Sequence, residues 1–228
     1  MEYVKLNRYL GLETMCKLVH NNEELIEKHL STILKSLKSS DISIKRRALD
    51  LLYLMCTQTT AKRIVDELLG YAEEKVDLVI KEELVLKIAI LAEKFADDLI
   101  WYIDSVIKLI SSSGDFVTDD IWFRIIQMIV GFGKEPNSQL QKYAALKLFN
   151  SINIPHVHEN LIKIAAFVIS EYAPLLVESG KEPQKLFDVI NRHFSLSSEK
   201  GWQFKNNFEH KTEILISYFC FFPQSLGR

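Results

Sequence analysis

Residues 81–104 restrict the fold more than any other stretch, because their sequence, KEELVLKIAILAEKFADDLIWYID, is apolar around most of a helix. One apolar strip recurs at the spacing of a single helical face. This main strip comprises Leu84, Val85, Ile88, Leu91, Ala92 and Phe95. A second strip comprises Leu86, Ala89 and Ile90. A helix with two apolar strips needs neighbours on more than one side, as in a stack of helical hairpins, so the sequence predicts that both strips are buried.

Small residues recur in the broad apolar helices at nearly constant intervals. Gly11, Ala48 and Ala89 lie 37 and 41 residues apart, and Ala165 follows 76 residues later. The helix between the last two lacks such a small residue, but it occupies the place of one further repeat. Helical pairs that recur about every 40 residues are typical of HEAT and armadillo proteins. We therefore predict an all-α fold, an α-solenoid of HEAT/armadillo-like helical pairs, with about five or six pairs in one segment over residues 1–228.

Capping residues and breaks predict where individual helices begin and end. Asp97 and Asp98 are expected to begin a new helix, and the run of residues 111–114, SSSG, is expected to end it. Gly131 is expected to end the helix that begins after Thr118. A final helix is predicted at residues 213–222, after an irregular connection.

Composition and charge narrow the classes of function. Hydrophobic residues make up 48% of the chain and only five residues are proline, which indicates a folded, mainly helical protein. The formal net charge of −2, from 28 basic and 30 acidic residues, provides no overall field for nucleic acid, and we predict no nucleic-acid partner. The longest apolar run, residues 214–222, is shorter than the ~20 residues that span a bilayer. We expect a soluble chain without a signal peptide.

Cysteine and histidine positions do not match a catalytic or metal-binding pattern. Three widely spaced cysteines without a CxxC pair predict neither disulfides nor a zinc site, and they favour a reducing compartment. Cys56 has no adjacent histidine and is expected to be an inert core thiol. His156, His158 and Glu159 resemble a fragment of a metal site, but further ligands are missing nearby, so capping or surface roles are favoured. With no phosphate loop, GxSxG or HExxH motif, we predict no enzyme, no cofactor and no metal.

Lys45, Arg46 and Arg47 form the only compact basic triplet, and two interpretations of it remain open. The three cations could hold a phosphoinositide or another phosphate group as an anionic-lipid patch. Three successive helical positions, however, spread over ~200° of the helix surface. The favoured interpretation is therefore a solvated structural face, in which Arg46 pairs with Asp50 at i,i+4.

Trp202 and Asn206 have the four-residue spacing that armadillo import receptors use to bind peptides. A free-standing peptide-binding module would present a ladder of such pairs, whereas this chain has one. We therefore interpret this pair as a coincidence. The peptide-binding module stays open as an alternative function, beside direct binding of phosphoinositide.

Five stretches resemble the trunk of the alpha-adaptins, the large subunits of the endocytic clathrin adaptor complex. They are NRYLGLETMCKL at 7–18, KRRALDLLYLMC at 45–56, the EELVLKIAILAEKF to WYID run within 81–104, DDIWFRIIQ at 119–127 and HENLIKIAAFVISEY at 158–172. They occur in the same order as the corresponding trunk helices. The resemblance implies that the chain is a fragment of a longer adaptin trunk, from its middle to C-terminal part.

The resemblance also implies a function and partners. The chain would be a structural scaffold segment supporting clathrin-mediated endocytosis and intracellular protein transport. Its partners would be a beta-type adaptin large chain and the medium (mu) and small (sigma) adaptor chains, with clathrin and membrane reached only through the full complex. It would be cytoplasmic and peripheral, on the cytosolic face of the plasma membrane at clathrin-coated pits. No ligand residue of the family transfers to a position here.

Overall fold

The computed structural model describes residues 2–19, 28–74, 76–131 and 138–194. Within these residues the structure is all-α, with eleven α-helices, one short 3-10 helix and no β-strand. The chain divides into two compact units, residues Met1–Asp97 and Asp98–Arg228. None of the described helices is long and apolar enough to span a bilayer.

The first unit contains five described helices. They are α1 (Glu2–Leu18), α2 (Leu30–Leu37), α3 (Ile42–Leu54), α4 (Ala61–Glu73) and α5 (Leu78–Lys94). Helix α3 occupies the centre, where it packs against α1, α2 and α5, and α4 packs against α5. Asp41 caps α3 by accepting hydrogen bonds from the backbone N–H groups of Ser43 and Ile44. The core between these helices is apolar and includes the fully buried Leu49, Leu52 and Leu68.

The second unit contains six described α-helices. They are α6 (Leu99–Ser113), α7 (Asp119–Val130), α8 (Ser138–Ile152), α9 (Glu159–Glu171), α10 (Ala173–Glu178) and α11 (Pro183–Phe194), with a 3-10 helix at Gly114–Phe116 between α6 and α7. Helices α8 and α9 form the central pair, and both contact α6, α7 and α11. The predicted all-α class of paired helices is confirmed in each unit.

Most predicted boundaries in the described residues are confirmed. Asp98 begins α6 by accepting hydrogen bonds from the backbone N–H groups of Ile100 and Trp101. Gly131, with a φ of 97°, ends α7 in the left-handed conformation that glycine tolerates best. Helix α6 ends at Ser113, within the run of residues 111–114 that was expected to end it, and the chain then tightens into a 3-10 turn at Gly114–Phe116. Residues 195–228, including Trp202, Asn206 and the predicted final helix, lie outside the described residues.

The second apolar strip of α5 corrects one expectation. The main strip is buried, and Leu84 and Ile88 are each 0% exposed. In the second strip, Leu86 is 50% and Ile90 is 39% exposed. Within the first unit, α5 packs against α3 and α4. These contacts bury the main strip and leave the second strip largely exposed. One continuous segment over residues 1–228 stays a prediction.

Two leucines on α5 provide a matched test of this packing. We expect Leu84→Ala to lower the free energy of unfolding by about 2–5 kcal/mol, because it removes a fully buried side chain. We expect Leu86→Ala to lower it by less than about 1 kcal/mol, because Leu86 is already half exposed. Urea unfolding followed by circular dichroism measures both. Equal losses would contradict the exposure of the second strip.

Candidate functional site

Lys45, on the first turn of α3, is fixed by an acid that precedes α5. Its Nζ lies 2.6 Å from Oδ2 of Asp77, and its side chain is only 15% exposed. The hydrogen bond with Asp77 raises the pKa of Lys45, and the same hydrogen bond lowers the pKa of Asp77. Lys45 therefore links the beginning of α3 to the beginning of α5.

Arg46 also pairs with α5 rather than with its own helix. Its Nε donates to Oε2 of Glu83 at 3.0 Å. The expected i,i+4 pair of Arg46 with Asp50 is therefore wrong. Asp50 instead contacts the Nη1 of Arg47 at 3.7 Å and hydrogen bonds with Lys87 of α5. A carboxylate on a neighbouring helix lies within direct hydrogen-bonding distance of Arg46, and it takes the place of the local partner.

Lys87 is the centre of these cross-helix contacts. Its Nζ donates to Asp50 of α3 and, at 2.8 Å, to Oε1 of Glu83 one turn earlier on α5. The ammonium also lies 5.8 Å from the centre of the Tyr53 ring. Burial alone would lower the pKa of Lys87, but the hydrogen bonds with Asp50 and Glu83 raise it overall. Lys87 is therefore held in its charged form although its side chain is only 15% exposed.

Arg47 connects α3 to α1 in the opposite direction. Its Nε donates to the hydroxyl oxygen of Tyr9 at 3.1 Å, and its guanidinium carbon lies 5.5 Å from the centre of the Tyr9 ring. The hydrogen bond with Tyr9 raises the pKa of Arg47 above its ordinary value. All three cations of the triplet thus have partners on neighbouring helices. The structure brings them into internal contacts, and the anionic-lipid patch stays a prediction.

These contacts recur at the period of the sequence repeat. Tyr9 and Arg47 are 38 residues apart, and the pairs Arg46–Glu83 and Asp50–Lys87 are each 37 residues apart. We call these six residues the polar ladder. The second unit has comparable links, because the Tyr143 hydroxyl donates to Asp104 at 2.8 Å across 39 residues. Polar or charged residues with complementary partners one repeat away are the sequence signal that could have revealed them.

His158 caps the first turn of α9. Its Nδ1 accepts a hydrogen bond from the backbone N–H of Asn160 at 3.2 Å, and its Nε2 lies 2.8 Å from Oδ1 of Asp115. The Asn160 amide also donates to the carbonyl oxygens of Gly114 and Val117, at 3.1 and 2.9 Å. His156 is exposed. No group of three or more potential metal ligands occurs among the residues that the structure describes.

Gly114 allows the His158 ring to approach the backbone. A Cβ atom added to Gly114 would lie 2.2 Å from Cγ of His158, well inside van der Waals contact. Cys56 is buried, as expected, and burial raises the pKa of its thiol to about 11. This pKa disfavours the nucleophilic thiolate at neutral pH. The geometry therefore supports structural roles for these residues.

Comparison with known proteins identifies the family. The sequence profile described as the adaptin N terminal region matches residues 5–206. The chain belongs to this adaptin family. The resemblance seen in the sequence is confirmed, as is the α-solenoid fold class. The matched profile describes the N-terminal region, which corrects the expected location in the middle to C-terminal part of the trunk.

Relatives of the adaptin chain include subunits of two adaptor complexes. The AP-2 complex subunit alpha-1 of Arabidopsis thaliana is 46% identical over 187 residues, which cover 81% of this chain and 18% of that protein. The AP-2 complex subunit alpha-2 of Dictyostelium discoideum is 44% identical over 192 residues, covering 82% of this chain and 19% of that protein. The AP-1 complex subunit gamma-2 of Arabidopsis thaliana is 33% identical over 173 residues, covering 76% and 19%. The chain thus spans about a fifth of the length of these relatives.

Acid should weaken the polar ladder through Glu83. Burial alone would raise the pKa of Glu83, but its hydrogen bonds with Lys87 and Arg46 lower it overall. A lowered folded-state pKa adds stability above the unfolded value, and that stability disappears as the pH falls through the folded value. We expect Glu83→Gln to cost about 1–2 kcal/mol at neutral pH and progressively less as the pH falls below the ordinary value of 4.5. Urea unfolding over a pH series measures this difference.

The control for this series is Glu82→Gln on the same helix. Glu82 is exposed, and the structure gives its side chain no ion pair within the described residues. Its substitution should change the free energy of unfolding by less than about 0.5 kcal/mol at each pH. Equal pH profiles for the two variants would contradict the stabilising role of Glu83.

Gly114→Ala should disturb the cap of α9. The added methyl group must displace the His158 ring, so we expect a loss of about 1–3 kcal/mol in the free energy of unfolding. The matched variant is Gly11→Ala in the interior of α1, where a Cβ atom meets nothing within 4 Å. This second change should be neutral or stabilising by up to about 1 kcal/mol. Thermal unfolding followed by circular dichroism compares them, and a neutral Gly114→Ala variant would contradict the close contact.

Proposed function

We propose that this chain is a structural scaffold segment of the large subunit of an endocytic clathrin adaptor complex. The observation that carries the proposal is the identity of 46% to an AP-2 alpha subunit over 81% of the chain, against 33% to an AP-1 gamma subunit. In this role the chain supports clathrin-mediated endocytosis and protein transport by contacts with other proteins. Its work is mechanical rather than enzymatic.

The partners that follow from this role are a beta-type adaptin large chain and the medium (mu) and small (sigma) adaptor chains. Clathrin and the membrane are reached only through the full complex. The chain then acts in the cytoplasm, peripherally on the cytosolic face of the plasma membrane at clathrin-coated pits. Internal pairing of the basic triplet supports this indirect route, because Lys45, Arg46 and Arg47 already have partners in the chain.

Exposed apolar side chains support a role in assembly. Leu86 and Ile90 on α5 are exposed in the first unit, and Phe123 on α7 is 52% exposed in the second unit. Large apolar groups that remain in water favour association with another protein surface. We therefore propose that the second strip of α5 is the surface that contacts a partner chain.

Co-expression with beta, mu and sigma adaptor chains tests the proposed function. We expect the tagged chain to co-purify with adaptor chains in a fixed stoichiometry, measured by light scattering. We expect Leu86→Glu to weaken this complex at least about tenfold, because it places a charge in an apolar contact. The same change should leave the circular-dichroism spectrum unchanged, since the side chain is half exposed.

Lys185→Glu, on the exposed face of α11 in the second unit, is the matched control for an added negative charge. It should leave the complex intact. A chain that stays monomeric beside all the adaptor chains would contradict the proposed role. An intact complex in the Leu86→Glu variant would move the contact away from the second strip.

A further inference from the structure

A groove runs between α2 and α4 in the first unit, apart from the polar ladder and the second strip of α5. Its volume is about 890 Å³, which is within the range of ~300–1,000 Å³ typical of ligand sites. Ten residues line it: Leu34, Lys35, Leu37, Lys38, Arg63, Asp66, Glu67, Gly70, Tyr71 and Glu74. None of these lining residues belongs to the polar ladder or to the second strip of α5.

Apolar groups and a glycine form the floor of the groove. Leu37 and Tyr71 are buried, and Leu34 is half-buried. Gly70 lies in the interior of α4, where glycine is unfavourable for a helix. A Cβ atom at Gly70 would meet nothing within 4 Å, so the fold does not require a glycine for packing at this position. Because Gly70 has no side chain, there is room above the floor for an apolar side chain of a ligand.

The two walls of the groove carry opposite net charges. On the α2 side the charged residues are Lys35 and Lys38. On the α4 side they are Asp66, Glu67 and Glu74, with Arg63 nearer the beginning of the helix. At one end the walls join, because Nζ of Lys38 lies 2.6 Å from Oε1 of Glu74.

Elsewhere along the groove, charges remain available. Among the described residues, the side chains of Lys35 and Asp66 make no hydrogen bond or ion pair with the chain, and Lys35 is exposed on α2 while Asp66 is exposed on α4. Among the described lining residues, Arg63 and Glu67 on α4 are likewise exposed and make no such contact. The groove therefore presents Lys35 on one side of an apolar floor, and Arg63 with the two carboxylates of Asp66 and Glu67 on the other. A ligand that satisfies all three features carries an acid, an apolar group and a base.

We propose that the α2–α4 groove binds a linear segment of a partner protein in which one apolar side chain lies between an acidic and a basic residue. The apolar side chain lies over Gly70 and Tyr71. The acidic residue pairs with Lys35, and the basic residue pairs with Asp66. Charge complementarity selects this occupant over a uniformly charged ligand such as a lipid headgroup, which one of the two walls would repel. This binding does not depend on the adaptor role.

Fluorescence anisotropy with synthetic peptides tests the proposal on the intact chain. The probe is a set of labelled, terminally blocked peptides in which Glu and Lys flank a central Leu at varied spacing. We expect at least one peptide to bind saturably, and more weakly as salt is raised, because the charges contact exposed side chains. Gly70→Leu should weaken the binding of that peptide at least about tenfold, because the leucine side chain fills the space above the floor. This variant has a better helix former in α4, so unfolding does not explain a loss.

A charge exchange provides the specific test. Lys35→Glu should weaken the binding of the same peptide at least about tenfold. A second peptide, with Lys in place of the Glu, should bind this variant again. Lys185→Glu in the second unit, far from the groove in sequence, should change the binding of neither peptide. Recovery by the exchanged peptide is a result that a merely destabilised variant does not give.

Three outcomes would overturn the proposal. The first is that no peptide of the set binds saturably. The second is that Gly70→Leu binds as tightly as the original chain. The third is a concentration-dependent dimer, seen by light scattering, that Gly70→Leu dissociates while peptides fail to bind; the occupant would then be a second copy of the chain. Each outcome leaves co-purification with adaptor chains unaffected, so the two proposals fail separately.

Discussion

The packing of α3 against α1, α2 and α5 is the constraint on which the rest of the first unit depends. Its apolar residues supply the driving force, since Ala48, Leu49, Leu51 and Leu52 are completely removed from water. Apolar burial itself has little directional preference, and charged side chains add directional contacts between α3 and α5. Arg46 and Asp50 make hydrogen bonds with Glu83 and Lys87. Burial therefore supplies most of the stability, and the charged pairs favour one register between the helices.

The second unit uses charged and uncharged groups for the same purpose, including the ion pair of Lys147 with Asp104 at 2.9 Å. Asn160 donates two hydrogen bonds to carbonyl oxygens beside the 3-10 turn, and His158 lies against the backbone of Gly114. The buried His193 makes a 2.6 Å hydrogen bond with the carbonyl oxygen of Ile152. These links provide hydrogen-bond partners for backbone groups at helix ends, which apolar side chains cannot supply. Each unit thus combines non-directional burial with a few directional polar contacts.

The same reasoning separates internal charges from those that a partner can use. Lys45 and Lys87 are strongly covered and paired, so a ligand anion would have to displace an existing carboxylate. Lys35 and Asp66 need no such displacement. A scaffold made of repeats can therefore use one set of charges to hold its helices and another set to bind proteins. Exposed apolar residues such as Leu86 add a second kind of surface.

Sequence patterns alone were enough to predict the all-α class, the repeat period and most helix boundaries. Helical periodicity, the capping Asp98 and the terminating Gly131 act over a few neighbouring residues, so they can be recognised locally. Family membership followed from whole stretches of similar sequence. The burial of Cys56 was also predictable, because it lies on an apolar face.

The contacts between side chains on different helices could be identified only in the folded structure. The partner of Arg46 was wrongly predicted as Asp50, since Glu83 reaches it from a helix 37 residues away. Exposure of Leu86 and Ile90 could not be predicted either, because an apolar residue looks the same in sequence whether or not a neighbouring helix covers it. The α2–α4 groove depends likewise on the distance between two helices. Local sequence encodes helices and caps, whereas burial and charge pairing arise from contacts that form only when the helices pack.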